Sequence, residues 1–339
     1  MTELLLGTGA ALPGDPLDNE EIGKRFSADP RWVERFIGTR TRHLGVDLAT
    51  GKVTHTLVDL ATEAASAALG DAGCEAGDID VLILATASPD QLMPASVNLV
   101  ADRLGMHQVP TYQLQSGCAG AVQALDVARR MLGGDRRTAL VIGADSCAKH
   151  LVLDHDFPSL PPSELVNYVI FGDGAGAAVI GAAEDGPGVR IGPVCNSFVG
   201  LGRAPGQVIR WFGAADRNST DQPVEEDYKA IESGVPELAA DMVEELLDRT
   251  GWTAGSVTHL LPPQLGGRMT ARISAGLTER FGLEATEISC VADTGNNGNA
   301  LPFLQLHRAR PGLAPGDRVL AVAIESSKWI RTGFALEVT

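Results

Sequence analysis

Short apolar runs alternate with amphipathic, alanine-rich segments along the whole chain. Residues 57–69 (LVDLATEAASAAL) carry an Ala/Leu face at helical spacing and predict a helix that stops at Gly70. Residues 80–86 (DVLILAT) are apolar on both faces, so they predict a strand in the centre of a sheet. This order is typical of an α/β protein with parallel strands and crossover helices.

The second half of the chain repeats this order. Residues 235–249 predict a helix with Pro236 in its first turn, and residues 257–261 predict the strand that follows. Residues 138–146 and 318–326 predict a further pair of strands, whose starts are 180 positions apart. Solenoid proteins repeat with periods of about 50 residues or less, so this pattern indicates a different kind of duplication.

The long repeat predicts a duplicated fold of two similar α/β halves. We place the N-terminal half at residues 1–183 and the C-terminal half at residues 184–339, because residues 181–189 are rich in turn formers. Residues 205–223 are polar and rich in helix- and strand-breaking residues, which predicts a long loop. Such a loop either shapes a binding site or is a surface excursion.

Composition and charge exclude several classes of function. The chain has 27 basic and 43 acidic residues and a net charge of −16, which gives no electrostatic support for binding nucleic acid or an anionic membrane. Its longest apolar runs are far shorter than the roughly 20 residues that span a bilayer, and its first residues lack the basic charge of a signal peptide. We therefore expect a cytoplasmic protein. The five scattered cysteines predict neither disulfides nor a metal site.

One cysteine has a context suited to chemistry. In residues 110–129 (PTYQLQSGCAGAVQALDVAR), a β-prone run leads through small residues into a strong helix former, which predicts that Cys118 lies at a sharp strand-to-helix corner. The N–H groups of the helix start are expected to favour the thiolate. The corner is similar in logic to the strained nucleophile elbow of hydrolases, but spacing alone leaves open that Cys118 is a small buried residue. Buried filler is the better interpretation of the other cysteines: Cys74, Cys147, Cys195 and Cys290.

A glycine-rich stretch, residues 171–177 (FGDGAGA), is a second motif. It lacks the Lys-Ser/Thr pair of a phosphate loop and precedes a strand instead of a helix, so we do not predict a nucleotide site. We interpret it as a tight turn that brings backbone close to the Cys118 corner.

The motifs together resemble the β-ketoacyl-acyl-carrier-protein synthase III family of the thiolase-like superfamily. The resemblance covers nearly the whole chain and is carried by residues 7–13 (GTGAALP), Trp32, residues 38–43 (GTRTRH), residues 116–120 (SGCAG) and residues 171–177. It implies two βαβαβαββ halves stacked in five layers (αβαβα) and a homodimer. It also implies that Cys118 accepts an acyl group from a coenzyme A or acyl-carrier-protein thioester, with no further cofactor.

The chain departs from this family at two motifs. The family uses a His and an Asn to bind the thioester carbonyl of malonyl-carrier protein; here Pro263 stands at the His position and Gly266 at the Asn of the same motif, while Asn296 matches the catalytic Asn. The family's Gly-rich turn is replaced by residues 327–329 (SKW), so the resemblance implies an oxyanion hole formed by the backbone N–H groups of Cys118 and Trp329. Because proline carries no side-chain proton, we expect condensation to suffer more than acyl loading.

The resemblance assigns further residues. Pro263, Gln264 and Asn297 are predicted to contact substrate, and Met93 matches a position that crosses the dimer interface into the partner's acyl pocket. Carrier or coenzyme A contacts are assigned to Trp32, Arg40 and Arg268. An acyl carrier protein is itself usually acidic, so docking requires a local basic patch, for which the candidates are Arg40, Arg268, Arg272, Lys328 and Arg331.

A replacement base for the missing His cannot be assigned from the sequence. His150, His155 and His259 are candidates, but His155 fits a solvated surface better and His259 fits a core or sheet-end position better. We interpret the remaining histidines as structural: His43, His55, His107 and His307.

Three functions follow from these observations. The first is an acyltransferase of specialised metabolism, which loads Cys118 and hands the acyl group to a small hydroxyl, amine or thiol acceptor without decarboxylation. The second is a true condensing enzyme that selects an unusual polyketide starter unit. The third is a non-catalytic scaffold that binds carrier protein.

Overall fold

The computed structural model describes residues 2–183, 186–210 and 224–339. The strands are β1 (Thr2–Ala11), β2 (Leu17–Asp18), β3 (Thr41–Arg42), β4 (Val81–Thr86), β5 (Thr111–Gln115), β6 (Thr138–Asp145), β7 (Gly174–Ala183), β8 (Val189–Phe198), β9 (Gln207–Ile209), β10 (Val224–Glu226), β11 (His259–Leu261), β12 (Thr286–Glu287), β13 (Arg318–Glu325) and β14 (Ile330–Val338). The helices are α1 (Asn19–Phe26), α2 (Pro30–Trp32), α3 (Leu57–Ala72), α4 (Ser96–Arg103), α5 (Gly120–Met131), α6 (Pro162–Ile170), α7 (Tyr228–Thr250), α8 (Gly267–Phe281), α9 (Val291–Thr294) and α10 (Leu301–Ala309). Within these ranges no helix combines the length and apolar character needed to cross a bilayer.

The element order repeats once along the chain. The first half runs β1-α3-β4-α4-β5-α5-β6-β7, and the second runs β8-α7-β11-α8-β12-α10-β13-β14, so each follows the pattern βαβαβαββ. Ten of these strands form one sheet in the order β12-β11-β13-β14-β8-β1-β7-β6-β4-β5, and β2–β3 and β9–β10 form two small ribbons. The two five-stranded halves are joined where β1 and β8 pair antiparallel through Leu4 with Arg190 and Leu5 with Val189.

Helices and half-sheets alternate in five layers, which confirms the predicted fold class. Helices α3 and α4 cover the outer face of the first half-sheet, and α7 and α8 cover the outer face of the second. Helices α5 and α10 lie between them, and their apolar side chains pack against strands of both halves in one central cluster. The central strands β4 and β13 are buried on both faces because a helical layer covers each side.

Two predicted helix boundaries were wrong. Helix α3 continues past Gly70 and ends at Gly73, whose φ of 65° is the left-handed conformation that closes a helix. A Cβ at Gly70 would meet nothing within 4 Å, so this glycine is an exposed helical residue with no packing role. Helix α7 begins seven residues before the predicted start because Asp227 caps it, accepting a hydrogen bond from the N–H of Ala230, and Pro236 therefore lies inside the helix.

Two other predicted segments also differ. The strand predicted at residues 257–261 is shortened to His259–Leu261, because residues 254–256 form a 3₁₀ turn. The loop predicted at residues 205–223 contains β9 near its start, which pairs antiparallel with β10 directly after it. Its residues 211–223 lie outside the described residues.

The central layer predicts where a core substitution costs most. Phe303 of α10 is completely buried in the cluster shared by both half-sheets. We expect Phe303→Ala to lower the free energy of unfolding by about 3–5 kcal/mol through lost burial and a cavity. The matched control is Leu201→Ala, because Leu201 is 91% exposed and its truncation leaves the core unchanged. Equilibrium denaturant unfolding measures both, and equal unfolding midpoints would contradict this view of the core.

Candidate active site

Cys118 lies in the turn between β5 and α5, as the sequence predicted. Strand β5 ends at Gln115 and helix α5 begins at Gly120, so the turn contains four residues. Positive φ among the described non-glycine residues occurs at Ser27, Gln108 and Trp329. Cys118 therefore has no positive φ and none of the backbone strain of a hydrolase elbow. The direction of the turn from β5 into α5 places its side chain.

The structure brings several predicted residues to one cavity. Cys118, Pro263, Gln264 and Asn296 all line a space of about 60 Å³ between the two halves. The sequence analysis missed several further polar residues of its wall, which are Gln207, Glu226, Tyr228, Gln305 and Ser326. They come from β10, α7, α10 and the ends of β9 and β13, whose approach depends on the tertiary fold.

A buried carboxylate holds the two sides of this cavity together. Asp145, at the end of β6, accepts hydrogen bonds on Oδ2 from the backbone N–H (2.8 Å) and side-chain Nδ2 (2.9 Å) of Asn299. Its Oδ1 accepts from the N–H of Ala87 and the hydroxyl of Ser88, both at 2.8 Å. Asn299 Nδ2 also donates to the carbonyl of Ser116 at 2.7 Å, two residues before Cys118. One hydrogen-bond network therefore positions both the Cys118 corner and the segment that carries Asn296 and Asn299, residues 293–299, which we call the Asn296 loop.

The glycine-rich stretch at residues 171–177 supports the Asn296 loop. Phe171 and Asn296 form an isolated parallel bridge, and a Cβ at Gly172 would lie 2.2 Å from the carbonyl oxygen of Thr294. Only glycine permits that approach. The predicted turn is therefore present, but it contacts the Asn296 loop instead of the Cys118 corner.

Asn296 has one amide group engaged and one available. Its Oδ1 accepts from the N–H of Gly298 at 3.0 Å, which fixes the side-chain orientation. Its Nδ2 has no partner among the described residues, and Asn296 lines the cavity. The side chain can therefore donate to a carbonyl oxygen of a bound thioester.

The electrostatics at Cys118 differ from expectation. Burial, reinforced by the charges of Glu325 and Asp145, raises the pKa of the Cys118 thiol well above its ordinary value. The backbone N–H of Cys118 lowers this pKa, as the prediction for the helix start requires, but desolvation and nearby carboxylates outweigh it. Loading an acyl group then requires a base to take the proton.

The sequence analysis did not single out Glu325, which lies against the Cys118 corner. It is 3% exposed at the end of β13, and a Cβ at Gly117 would lie 2.1 Å from its Oε2. Its Oε1 accepts from the N–H of Ser327 at 3.2 Å, and its carboxylate also accepts from the N–H of Ala119. No local motif marks an acid at this place, because Glu325 and Cys118 are more than 200 residues apart in sequence.

None of the seven histidines, all of which lie in the described ranges, is among the residues that line the cavity. His155 contacts the rings of Phe157 and Tyr168. His259 lies at the opposite end of β11 from Pro263, with its Nδ1 2.8 Å from Thr258 Oγ1. His150 lies within reach of the charge of Asp145, but it does not line the cavity either.

Trp329 and Asn297, which were predicted to belong to the site, do not line the cavity. Trp329 packs its indole beside Gly234 and donates through Nε1 to the carbonyl of Ala204 at 2.7 Å. Ser326 is the member of that turn that reaches the cavity. Asn297 Nδ2 donates to the carbonyls of Asp173 and Thr294, so this side chain stabilises the Asn296 loop.

Met93 is 86% exposed on the surface of the single chain. Its predicted crossing into a partner's acyl pocket stays a prediction.

Gln264 is held in place by its carbonyl. Its Oε1 accepts from Ser289 Oγ and from the N–H groups of Cys290 and Val291, while its buried Nε2 has no partner in the described part of the chain. Gln264 thus resembles Asn296 in offering an amide donor on the wall of the cavity.

The predicted carrier contacts lie beside the cavity. The segment that follows Trp32 packs on the start of α8, where a Cβ at Gly38 would lie 2.7 Å from the backbone nitrogen of Arg268. Arg268 is exposed and Arg40 forms an ion pair with Asp293.

The predicted basic patch is partly neutralised. Arg272 pairs with Glu232 at 2.8 Å and Arg331 with Glu245 at 3.1 Å. Arg268 and Lys328 have no carboxylate partner within the described ranges, so they carry the unpaired positive charge of the predicted set.

All five cysteines are free thiols. Cys195 and Cys290 are buried filler as predicted, whereas Cys74 and Cys147 are only half-buried. Cys147 follows the Asp145 strand, where burial and the charges of Asp145 and Asp173 raise its pKa well above its ordinary value.

Comparison with known proteins gives a consistent result. The model of the family described as 3-oxoacyl-[acyl-carrier-protein (ACP)] synthase III matches residues 112–197. Beta-ketoacyl-[acyl-carrier-protein] synthase III 3 of Streptomyces coelicolor (strain ATCC BAA-471 / A3(2) / M145) is 31% identical over 329 residues, covering 94% of this chain and 92% of its own.

Two solved structures match over nearly the full length. AbyA1, a tetronic acid condensing enzyme, has a TM-score of 0.95 and 53% identity, covering 99% of this chain and 100% of its own. 3-Oxoacyl-(acyl carrier protein) synthase III, FabH, from Pseudomonas aeruginosa PAO1 has a TM-score of 0.84 and 26% identity, covering 100% and 98%. The fold, the Cys118 corner and these relatives together show that the chain belongs to the 3-oxoacyl-[acyl-carrier-protein] synthase III family of thiolase-like enzymes.

Proposed function

We propose that the protein is an acyltransferase that takes an acyl group from a carrier-protein or coenzyme A thioester onto Cys118. It then passes the group to a hydroxyl-bearing acceptor without decarboxylating malonyl-carrier protein. The observation that carries the proposal is a cavity that combines Cys118 with Asn296 and Pro263 but is lined by no histidine of the described chain. Such a site keeps a nucleophile and an amide donor and lacks an imidazole that could stabilise a developing enolate.

The acyl-enzyme half of the reaction uses the groups at the Cys118 corner. The thiol sulfur attacks the thioester carbonyl, and the carbonyl oxygen becomes negative as the tetrahedral intermediate forms. Backbone N–H groups at Cys118 and in the turn containing Ser326, together with Asn296 Nδ2, are the donors that we assign to that oxygen.

The 53% identical relative supports a reaction without loss of carbon dioxide. Tetronic acid is a five-membered lactone with an enolised 1,3-dicarbonyl. It can be assembled from a β-ketoacyl thioester and a hydroxyacyl thioester. The carbon that two carbonyls already activate bonds to the hydroxyacyl carbonyl, and the hydroxyl oxygen bonds to the β-ketoacyl thioester carbonyl. Each bond releases one thiol, so neither requires decarboxylation. A hydroxyl-bearing acceptor of this kind fits the proposed chemistry.

A polar wall of the cavity suits a hydroxyl acceptor. Glu226 on β10 accepts a hydrogen bond from Gln207 Nε2, and Tyr228 donates to Asn167 Oδ1 at 2.7 Å. Glu226 Oε2 is buried and has no partner among the described residues, and burial raises the pKa of this carboxyl. An acceptor hydroxyl that donates to Oε2 would satisfy it.

The first prediction concerns the covalent intermediate. We expect the wild-type protein, exposed to acyl-coenzyme A or acyl-carrier protein, to gain the mass of one acyl group, because Cys118 is the thiol in the cavity. Cys118→Ala should gain none, and Cys147→Ala, which removes a half-buried thiol outside the cavity lining, is the matched control and should load normally. Intact-protein mass spectrometry measures all three. A wild type without an adduct would favour a non-catalytic scaffold.

The second prediction separates transfer from condensation. With loaded enzyme and malonyl-carrier protein, we expect β-ketoacyl product at least about 10²-fold more slowly than in a His-containing synthase, because general acid–base assistance contributes about 10²–10⁴-fold. Product mass spectrometry with a control synthase measures the rate. Condensation at the control rate would establish the starter-unit synthase instead.

The third prediction tests the acceptor wall. We expect Glu226→Gln to load Cys118 normally but to transfer the acyl group to a hydroxyl acceptor at least about tenfold more slowly, because a neutral amide accepts the hydroxyl proton less strongly than a carboxylate. Glu225→Gln is the matched control, since Glu225 is exposed on the other face of the same strand. Single-turnover decay of the acyl-enzyme measures transfer. Equal decay in both variants would remove Glu226 from acceptor binding.

A further inference from the structure

The carboxylate of Glu325 occupies a space that the Cys118 corner leaves open. Its Oε2 and Oε1 lie 2.1 Å and 2.5 Å from the point where a Cβ at Gly117 would be. Any other residue at position 117 would displace the carboxylate, so glycine at that position permits the contact. The N–H of Ala119 donates to the same carboxylate. Both chain neighbours of Cys118 therefore touch Glu325.

One oxygen of this carboxylate lacks a hydrogen-bond donor. Oε1 accepts from the N–H of Ser327, and the Ser327 hydroxyl and the N–H of Ala119 also act on the carboxylate. Oε2 is buried and meets no donor in good hydrogen-bond geometry among the described residues. A buried carboxylate oxygen without a donor is costly, and a structural role would be served better by a fully paired group. An orphaned acceptor beside a nucleophile is the arrangement that proton transfer requires.

The charged groups around Glu325 are acids. Asp145, at the end of β6, and the Cys118 thiol both face it, and the effect of burial and of Asp145 is to raise the pKa of Glu325 above its usual range. Glu325 in turn is the charged group that contributes most to raising the pKa of Cys118. One proton is therefore favoured on the thiol–carboxylate pair, and an anion on both partners is disfavoured.

We propose that Glu325, packed against the chain on both sides of Cys118, takes up the Cys118 proton during acyl loading. This inference rests on the proposed acyl-enzyme function.

In the loading step, the proton that leaves Cys118 ends on the leaving thiol. As the Cys118 sulfur forms its bond to the thioester carbonyl carbon, its proton moves to Glu325 Oε2. The bond from that carbon to the donor sulfur breaks, and the departing thiolate receives the proton from Glu325. The products are acyl-Cys118 and the free thiol of coenzyme A or the carrier protein.

The transfer step uses the carboxylate on the acceptor wall. The acceptor hydroxyl gives its proton to Glu226 as its oxygen bonds to the acyl carbon, and the bond from that carbon to the Cys118 sulfur breaks. The departing sulfur receives the proton from Glu226, which restores the thiol and leaves both carboxylates ionised for the next cycle.

The decisive experiment compares loading with alkylation in Glu325→Gln. Removing the negative charge lowers the pKa of Cys118, so iodoacetamide should label this thiol with a midpoint at lower pH than in the wild type. If Glu325 acted only as a repulsive charge, acyl loading would also become faster. If it carries the proton, loading from acyl-coenzyme A should fall by about 10²-fold or more. The two roles therefore predict opposite changes in the loading rate.

The pH profile provides a second readout. The working form pairs an ionised Glu325 with a neutral thiol, so the wild-type loading rate should rise with pH through the pKa of Glu325, which lies above its usual range. That ascending limb should disappear in Glu325→Gln. Single-turnover loading by rapid-quench mass spectrometry measures it, and a persisting limb with the same midpoint would overturn the proposal.

Two further variants test whether slow loading in Glu325→Gln comes from misfolding instead of the lost carboxylate. Glu325→Asp retains a carboxylate and should load faster than Glu325→Gln, whereas equal rates would count against proton transfer. Glu337→Gln, on the neighbouring strand and outside the cavity, should load at the wild-type rate.

The alkylation and loading data also separate the two levels of inference. Glu325→Gln that loads as fast as or faster than the wild type overturns the role of Glu325 and leaves the acyl-enzyme intact. A wild type that never carries an acyl group on Cys118 overturns both.

Discussion

The geometry of the site depends on the buried carboxylate of Asp145. It lies at the end of β6 in the first half, yet its Oδ2 accepts both hydrogen-bond donors of Asn299 in the second half. Its Oδ1 meanwhile holds the chain that leaves β4 through Ala87 and Ser88. A buried anion requires such donors because its desolvation is otherwise uncompensated, so the two halves are locked in one relative position. Because the Cys118 corner and the Asn296 loop both bond to this network, their positions relative to each other are fixed as well.

The same buried charge shapes the chemistry. Negative charge on Asp145 and Glu325 acts on a Cys118 thiol that is itself removed from solvent, so the thiolate form is disfavoured. A catalytic cysteine more often relies on an imidazole or a helix terminus to remain a thiolate. Here the proton has to leave during the reaction, and Glu325, a carboxylate that disfavours the thiolate, is the group that we assign as its acceptor. Ground-state repulsion and proton transfer are thus two consequences of one contact.

The layered fold explains why the cavity is small and polar on one side. Helices α5 and α10 fill the space between the two half-sheets, which leaves room only where the turns after β5 and β13 meet the Asn296 loop. The β9–β10 ribbon closes the far wall and contributes Glu226, whose unpaired oxygen faces the same enclosed region. The apolar wall from Ile170, Leu301 and Val322 completes an enclosure that limits access of water.

Local sequence determined the elements and one functional residue, because periodicity and turn chemistry are encoded by neighbours along the chain. The alternation of strands and helices, the duplicated order and the Cys118 corner could all be read in this way. Helix ends were missed where a cap outside the periodic region decided them, as Asp227 did for α7. The site itself was decided by long-range packing. It brought Glu325 to Gly117, placed Glu226 on the cavity wall and left every histidine off it, because contacts between residues hundreds of positions apart depend on how the half-sheets stack.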